Sequence, residues 1–167
     1  MTVRPCARLV AALAVAAALA PVTASAQKAV FVVRHAERQD DSTDTPLSAA
    51  GKARAEKLAA VLKDAGVSAI YATQWQRTQQ TVAPLAAALK LPVATVQSKD
   101  IDALVAALRT THANGVVVVA AHSDSAPKIV AALGAANAIT IAHEEYDNLF
   151  VVVPGAGPTP TFLRLRY

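Results

Sequence analysis

After residue 27 the chain alternates short, wholly apolar runs with longer stretches in which apolar residues recur every three or four positions. Ala29–Arg34 reads AVFVVR, Ala69–Ala72 reads AIYA and Val116–Ala121 reads VVVVAA. Continuous apolar runs predict strands buried on both faces, as in a parallel sheet covered by helices. Between them, Ala55, Leu58, Ala59 and Leu62 stand at i, i+3, i+4 and i+7, one face of a helix, with Gly66 as its stop. Val82, Leu85, Ala86 and Leu89 repeat the spacing around Pro84, which lacks an N–H and predicts a kink. Ile101, Leu104, Val105 and Leu108 predict a third helix with Asp100 as N-cap. Pro127 to Leu133 predicts a fourth, capped by Ser125 and ended by Gly134. Two strand-like runs, Leu149–Val153 and Thr161–Tyr167, close the chain around the turn-rich Pro154–Pro160. In the last run Leu163, Leu165 and Tyr167 alternate with Phe162, Arg164 and Arg166, the pattern of a half-exposed edge. Strands alternating with helices predict an α/β fold, a three-layer sandwich whose mostly parallel central sheet has helices on both faces.

Residues 1–26 follow a different pattern: two arginines, twelve apolar residues from Leu9 to Ala20, then Pro21 and Ala24-Ser25-Ala26. That order predicts a secretory signal peptide cut after Ala26. A spanning helix needs about 20 apolar residues, and this run stops at a proline. Residues 27–167 then form one domain, exported to the periplasm or beyond the cell, with no stable membrane anchor after cleavage. The only cysteine, Cys6, lies in the leader, so the expected mature chain has no disulfide, no cysteine nucleophile and no thiolate metal site. Removing Arg4 and Arg8 leaves 14 basic against 12 acidic residues, a net charge of +2 rather than +4. Basic residues are scattered and do not alternate with aromatics, which argues against nucleic acid as a partner.

The chemistry-bearing residues cluster at predicted strand ends. Arg34 and His35 end the first strand in FVVRHAER, and His122 follows Val116–Ala121 in AAHSDSAP. Arg77 follows the second strand in YATQWQRTQQT. Ligands of open α/β sheets bind beyond the carboxyl ends of the strands, so all three segments deliver a histidine or an arginine to one edge. Two arginine forks match the oxygens of a phosphoryl group. A histidine among cations favours its neutral form, which leaves a ring nitrogen free to attack phosphorus.

The succession RHAER, LSAAGKARAEKLAAVL, IYATQWQRTQQTVAPLA and VVVVAAHSD resembles the histidine phosphatase superfamily, the phosphoglycerate mutase-like fold. The resemblance runs from Phe31 to the helix after His122. It implies a phosphatase acting through a phosphohistidine on His35, with Arg34, Arg77 and His122 binding phosphate and no metal or other cofactor. Ala36 stands where the family usually has glycine. Arg38 repeats an arginine of the acid-phosphatase pattern and adds to the expected anion pocket. The chain has little room for the insertions that cap larger members, so the expected site is shallow and open, like that of the compact bacterial phosphohistidine phosphatases.

The proton donor for the leaving group is the gap in the pattern. Asp100 and Asp102, in the segment where members often supply a glutamate, are better explained as caps of the third helix. Glu37 and Asp124, each two residues beyond a site histidine, are the candidates. Asp124 is favoured, because Arg34 and Arg38 next to Glu37 disfavour a protonated carboxyl there. His112 is expected to be structural, near free carbonyls at a helix end. His143 with Glu144 and Glu145 reads as a solvated turn rather than a metal site, since no second ligand group stands at a recognised spacing. Tyr71 and Trp75 either line the pocket mouth or pack. The expected partner is a small phosphorylated substrate. A mutase is disfavoured because it must exclude water. The alternatives are a phosphatase of phosphohistidine proteins and a non-catalytic phosphate-binding module on the same fold.

Overall fold

The computed structural model of the chain describes residues 29–112, 114–135, 138–155 and 159–167, so the expected leader and its expected cleavage site lie outside the described residues. Six strands and four helices follow in the order β1 (Ala29–Arg34), α1 (Ala49–Leu62), β2 (Val67–Thr73), α2 (Gln76–Leu89), β3 (Val93–Val96), α3 (Ile101–Thr110), β4 (Val116–Ala121), α4 (Ser125–Ala132), β5 (Asn148–Val153) and β6 (Thr161–Arg166). They form one sheet ordered β3-β2-β4-β1-β5-β6. The pairs β2–β3, β2–β4 and β1–β4 are parallel, and β5 runs antiparallel to both β1 and β6.

Strand alternation sends successive residues to opposite faces, and both faces of the central strands are covered. On one, Val116, Val118 and Ala120 of β4 join Leu58 and Leu62 of α1 and Val82 and Leu85 of α2. On the other, Val117, Val119 and Ala121 join Leu104 and Leu108 of α3 and Ile129 and Val130 of α4. This is why β4 can be apolar along its whole length: all six of its residues are buried. Each valine so buried contributes about 1.5–3 kcal/mol relative to exposure.

The structure adds one strand and refines three local readings. Strand β3, VATV, is too short and too half-exposed to stand out as an apolar run. Helix α2 passes through Pro84 as one helix; Val82 and Leu85, both 0% exposed, anchor it on the sheet on either side. Asp100 occupies the N-cap of α3, yet its side chain makes no capping hydrogen bond. Ser125 is the first residue of α4 rather than its cap, and its hydroxyl accepts from the His122 backbone N–H at 3.0 Å. Strand β6 is an edge, as expected, but among the described residues its leucine face is left open: Leu163 and Leu165 are 47% and 46% exposed. Among the described residues no helix is long and apolar enough to cross a membrane.

Candidate active site

Strand register brings the site together. Arg34 of β1 pairs with Ala121 of β4, and the His35 N–H donates to the Ala121 carbonyl at 2.8 Å. His35 and His122 therefore leave adjacent strands side by side, their ring centroids 5.3 Å apart. Ala72 of β2 pairs with Ala120, which sets Thr73 next to His122 on the other flank. Beyond these strand ends lies a cavity of about 700 Å³ lined by Arg34, His35, Arg38, Arg77, His122 and Asp124, among others.

The ring nitrogens of His35 are already assigned roles by their neighbours. Nδ1 lies 2.8 Å from the Ala36 carbonyl oxygen, which can only accept, so Nδ1 carries the proton and Nε2 keeps its lone pair. Burial, and then the nearby His122, Arg34 and Arg77, push the His35 pKa down to about 3, against the carbonyl bond that favours the protonated ring. The ring is thus neutral at physiological pH. Burial and the charges of Arg77 and Arg34 likewise lower His122 to about 4, with Asp124 acting in the opposite sense.

Arg34 is buried and its head faces the loop before β5: Nη1 donates to the carbonyls of Ala142, His143 and Glu145 at 3.0, 2.8 and 3.2 Å. The Tyr146 ring lies 4.0 Å from the guanidinium carbon, a cation–π contact. Arg77, at the start of α2, donates to the Thr43 carbonyl at 2.8 Å, and Trp75 lies under it with 5.4 Å to the ring centroid. In both arginines Nε is a buried donor with no partner among the described residues, which is costly. Both side chains line the cavity, and a guanidinium is a group that pairs with phosphoryl oxygens. Asp124 and Ser125, at the N-terminal end of α4, add the positive end of a helix dipole to the same wall.

The two carboxylate candidates part company. Asp124 lines the cavity. Glu37 does not: Arg54 of α1 holds both of its oxygens, with contacts of 2.6–3.0 Å. Burial alone would raise the Glu37 pKa, but hydrogen bonds from Arg54 and the backbone outweigh it and hold the carboxyl below its usual range. A carboxylate so held is a poor proton donor, and the structure removes Glu37 from that role. Gly51 allows this loop to approach α1, since a Cβ there would overlap the Glu37 carbonyl oxygen. Arg38 lines the cavity and pairs with Asp41.

His112 meets the Tyr71 hydroxyl through Nε2 at 2.8 Å rather than a helix carbonyl, so both pack away from the cavity, while Trp75 lines it. His143 is exposed at the cavity rim. Glu145 is tied to Arg166 and the Ala142 N–H, and then to Arg164, which together lower its pKa to about 2. Among the described residues no cluster of three or more His, Cys, Asp or Glu is placed to hold a metal.

Several supporting residues escape a reading by motif. Thr81 accepts from the Ala36 N–H at 2.9 Å and donates to the Arg77 carbonyl at 2.7 Å, joining the nucleophile's strand exit to the arginine's helix. Thr73, Thr78 and Thr81 are all but fully buried polar residues. For Thr78 and Thr81 the signal was a pair of polar residues on the inward, otherwise apolar face of α2; Thr73, the last residue of β2, had none. Tyr146 and Arg54 had none, because each reaches the site from a distant part of the chain.

Residues 30–98 match the model of the histidine phosphatase superfamily (branch 1). Among curated proteins no sequence match is found. The fold is similar to that of the protein histidine phosphatase SixA complexed with tungstate (TM-score 0.66, 21% identity, covering 83% of this chain and 96% of that one). It is also similar to a putative alpha-ribazole-5'-P phosphatase from Escherichia coli (TM-score 0.68, 14% identity, covering 84% and 96%). A third similar structure is mycobacterial glucosyl-3-phosphoglycerate phosphatase in complex with VO3 (TM-score 0.65, 15% identity, covering 84% and 98%). The sequence match over residues 30–98 and the shared α/β architecture agree: both liken this chain to the histidine phosphatase superfamily.

Proposed function

We propose that the protein is an exported phosphatase that hydrolyses phosphomonoesters or phosphoramidates through a phosphohistidine on His35. The observation that carries this reading is the His35 ring: Nδ1 is held by the Ala36 carbonyl, so Nε2 keeps its lone pair on a residue that lines the cavity with His122 and the two arginines. In the first step a bond forms from Nε2 to phosphorus, the bond from phosphorus to the leaving group breaks, and the leaving atom takes a proton. Water then attacks the phosphohistidine and releases inorganic phosphate. Arg34 and Arg77 offset the charge on the phosphoryl oxygens, a task that needs no divalent ion. Asp124, which lines the cavity, protonates the leaving group in this reading.

The experiment is turnover of an aryl phosphate, an alkyl phosphate and a phosphoramidate by the purified protein and by His35→Ala. Loss of a nucleophile costs on the order of 10⁶-fold in kcat in well-studied hydrolases, so His35→Ala should be inactive. Brief reaction with labelled substrate should leave phosphate on His35 in an acid-labile, alkali-stable linkage. Activity lost to a chelator and restored by metal would contradict the reading. Asp124→Asn should lose far more rate on the alkyl than on the aryl ester, because only the alkyl oxygen needs the proton.

The breadth of the cavity supports a second reading, a phosphatase of phosphohistidine in proteins: an opening this wide admits a side chain presented by a partner. Faster turnover of a phosphohistidine protein than of any small ester would favour it. If the protein binds phosphate without turning over any of these substrates, it is a binding module. Export rests on the leader pattern, and an exported protein that begins at Gln27 by mass spectrometry would bear it out.

A further inference from the structure

His122 contacts a chain of buried hydroxyls that the reaction as described does not use. Its Nε2 lies 2.9 Å from Thr73 Oγ1, and Thr73 Oγ1 lies 2.8 Å from Thr78 Oγ1. Thr78 Oγ1 in turn lies 3.0 Å from the Thr73 carbonyl and 2.8 Å from the Trp75 carbonyl. Thr73 is 4% exposed and Thr78 0%, so water does not complete the network.

Proton counting gives the chain a direction. Each hydroxyl has one proton to donate. The two carbonyls beside Thr78 can only accept, so the Thr78 proton goes to them and its oxygen accepts from Thr73. The Thr73 proton is thereby used, and Thr73 can only accept from His122. His122 must then carry its proton on Nε2. Nδ1 is left with a lone pair and no hydrogen-bond partner among the described residues, on a ring that lines the cavity. We propose that Thr73 and Thr78 are positioning residues that lock His122 as its Nε2–H tautomer, so that Nδ1 meets the phosphoryl group as a hydrogen-bond acceptor.

The inference rests on the phosphatase reading for its chemical meaning and deepens it by naming the protonation state of the substrate. A lone pair repels a fully ionised phosphoryl oxygen and pairs with a protonated one. The productive complex therefore holds one proton between Nδ1 and a phosphoryl oxygen, and the substrate enters as its monoanion. The charged and titratable groups around His122 agree. Burial, Arg77 from α2 and Arg34 from β1 disfavour a proton brought by the enzyme, Asp124 beside it only partly offsets them, and the adjacent His35 ring is neutral.

Three measurements on the purified protein test this. Imidazole ¹⁵N spectra at pH 7, with His122 assigned by its loss in His122→Asn, should show Nε2 protonated and Nδ1 bare; a dominant Nδ1–H form overturns the proposal. Thr73→Val, which keeps the shape and removes the hydroxyl, should lower kcat/KM about 10- to 100-fold, while Thr73→Ser stays within a few-fold of wild type. Equal losses in the two variants also overturn it. Finally, kcat/KM should fall tenfold per pH unit above the ester's second ionisation, near pH 6, and that limb should move down with aryl phosphates of lower second pKa. A limb that stays in place is contrary evidence. The spectra need no turnover, so an inactive wild type with Nε2–H supports the lock while sinking the phosphatase reading. An active one with Nδ1–H does the reverse.

Discussion

The two walls of the cavity are built on opposite plans. The wall formed by β2 and α2 draws Thr73, Arg77, Thr78 and Thr81 from nine consecutive residues and fixes them with neutral hydroxyl bonds that are almost wholly buried. The facing wall, the loop from Ala142 to Tyr146, comes from more than a hundred residues beyond Arg34 and is held by that one guanidinium. Its outer side is tied by exposed ion pairs of Glu145 with Arg164 and Arg166. The first wall is set by local sequence and dry packing, which do not respond to salt. The second depends on a cavity-lining charge, so occupancy of the cavity and order of the 142–146 loop are expected to be coupled through Arg34.

The largest effect expected separates the two arginines. Arg34→Gln and Arg77→Gln should each cost about 10²–10³-fold in kcat, the usual loss for a donor aimed at developing charge. Only Arg34→Gln should also speed hydrogen exchange in the loop around residues 142–146. Equal exchange in both variants would dissolve the distinction between the walls.

Next comes the hydroxyl wall itself. Thr81→Val leaves the buried Ala36 N–H without its acceptor and should destabilise the protein by about 1–3 kcal/mol in denaturant unfolding. Thr81→Ser should recover most of that. If valine is tolerated, packing rather than hydrogen bonding holds this wall.

The space between the walls should respond to pH. His35 and His122 have folded pKa values of about 3 and about 4, below the ordinary 6.5. The unfolded chain therefore binds protons more readily than the folded one. Above pH 6.5 these histidines impose no penalty. As the pH falls through the window from 6.5 to their folded values, stability and Tm should drop, and His35→Asn should flatten part of the slope.

The smallest effect belongs to the exposed pairs. The Glu145 carboxyl is depressed to about 2 by Arg166, Ala142 N–H and Arg164, so its contribution is present above the unfolded carboxylate pKa and fades as the pH falls toward 2. Glu145→Gln should shift Tm slightly at low salt and not at high salt, because exposed pairs are screened. A salt-independent shift would put the loop in the same class as the buried wall.

Much of this was legible in the chain. The apolar runs of β1, β2 and β4 and the helical spacing of α1, α2, α3 and α4 give the sandwich, and the residue after each strand end names Arg34, His35 and His122. Strand β3 was not legible, because four half-exposed residues carry little periodicity. The uncovered face of Leu163 and Leu165 was also hidden: alternation says that a strand has two faces, not which of them meets a helix.

Pattern and spacing thus determined the layers, the strand ends and the residue types gathered there, since burial of apolar side chains is periodic along the chain and ligands meet the carboxyl ends of parallel strands. Tertiary structure alone decided what each group is free to do. Glu37 and Asp124 stand in equivalent sequence positions, two residues past a histidine, and only the arrival of Arg54 takes one of them away from the site. The protonated nitrogen of each site histidine is likewise fixed by the atom it meets, the Ala36 carbonyl for His35 and the Thr73 hydroxyl for His122. Proton position depends on distances of a few ångströms between groups that strand register brings together, and no linear pattern contains those distances.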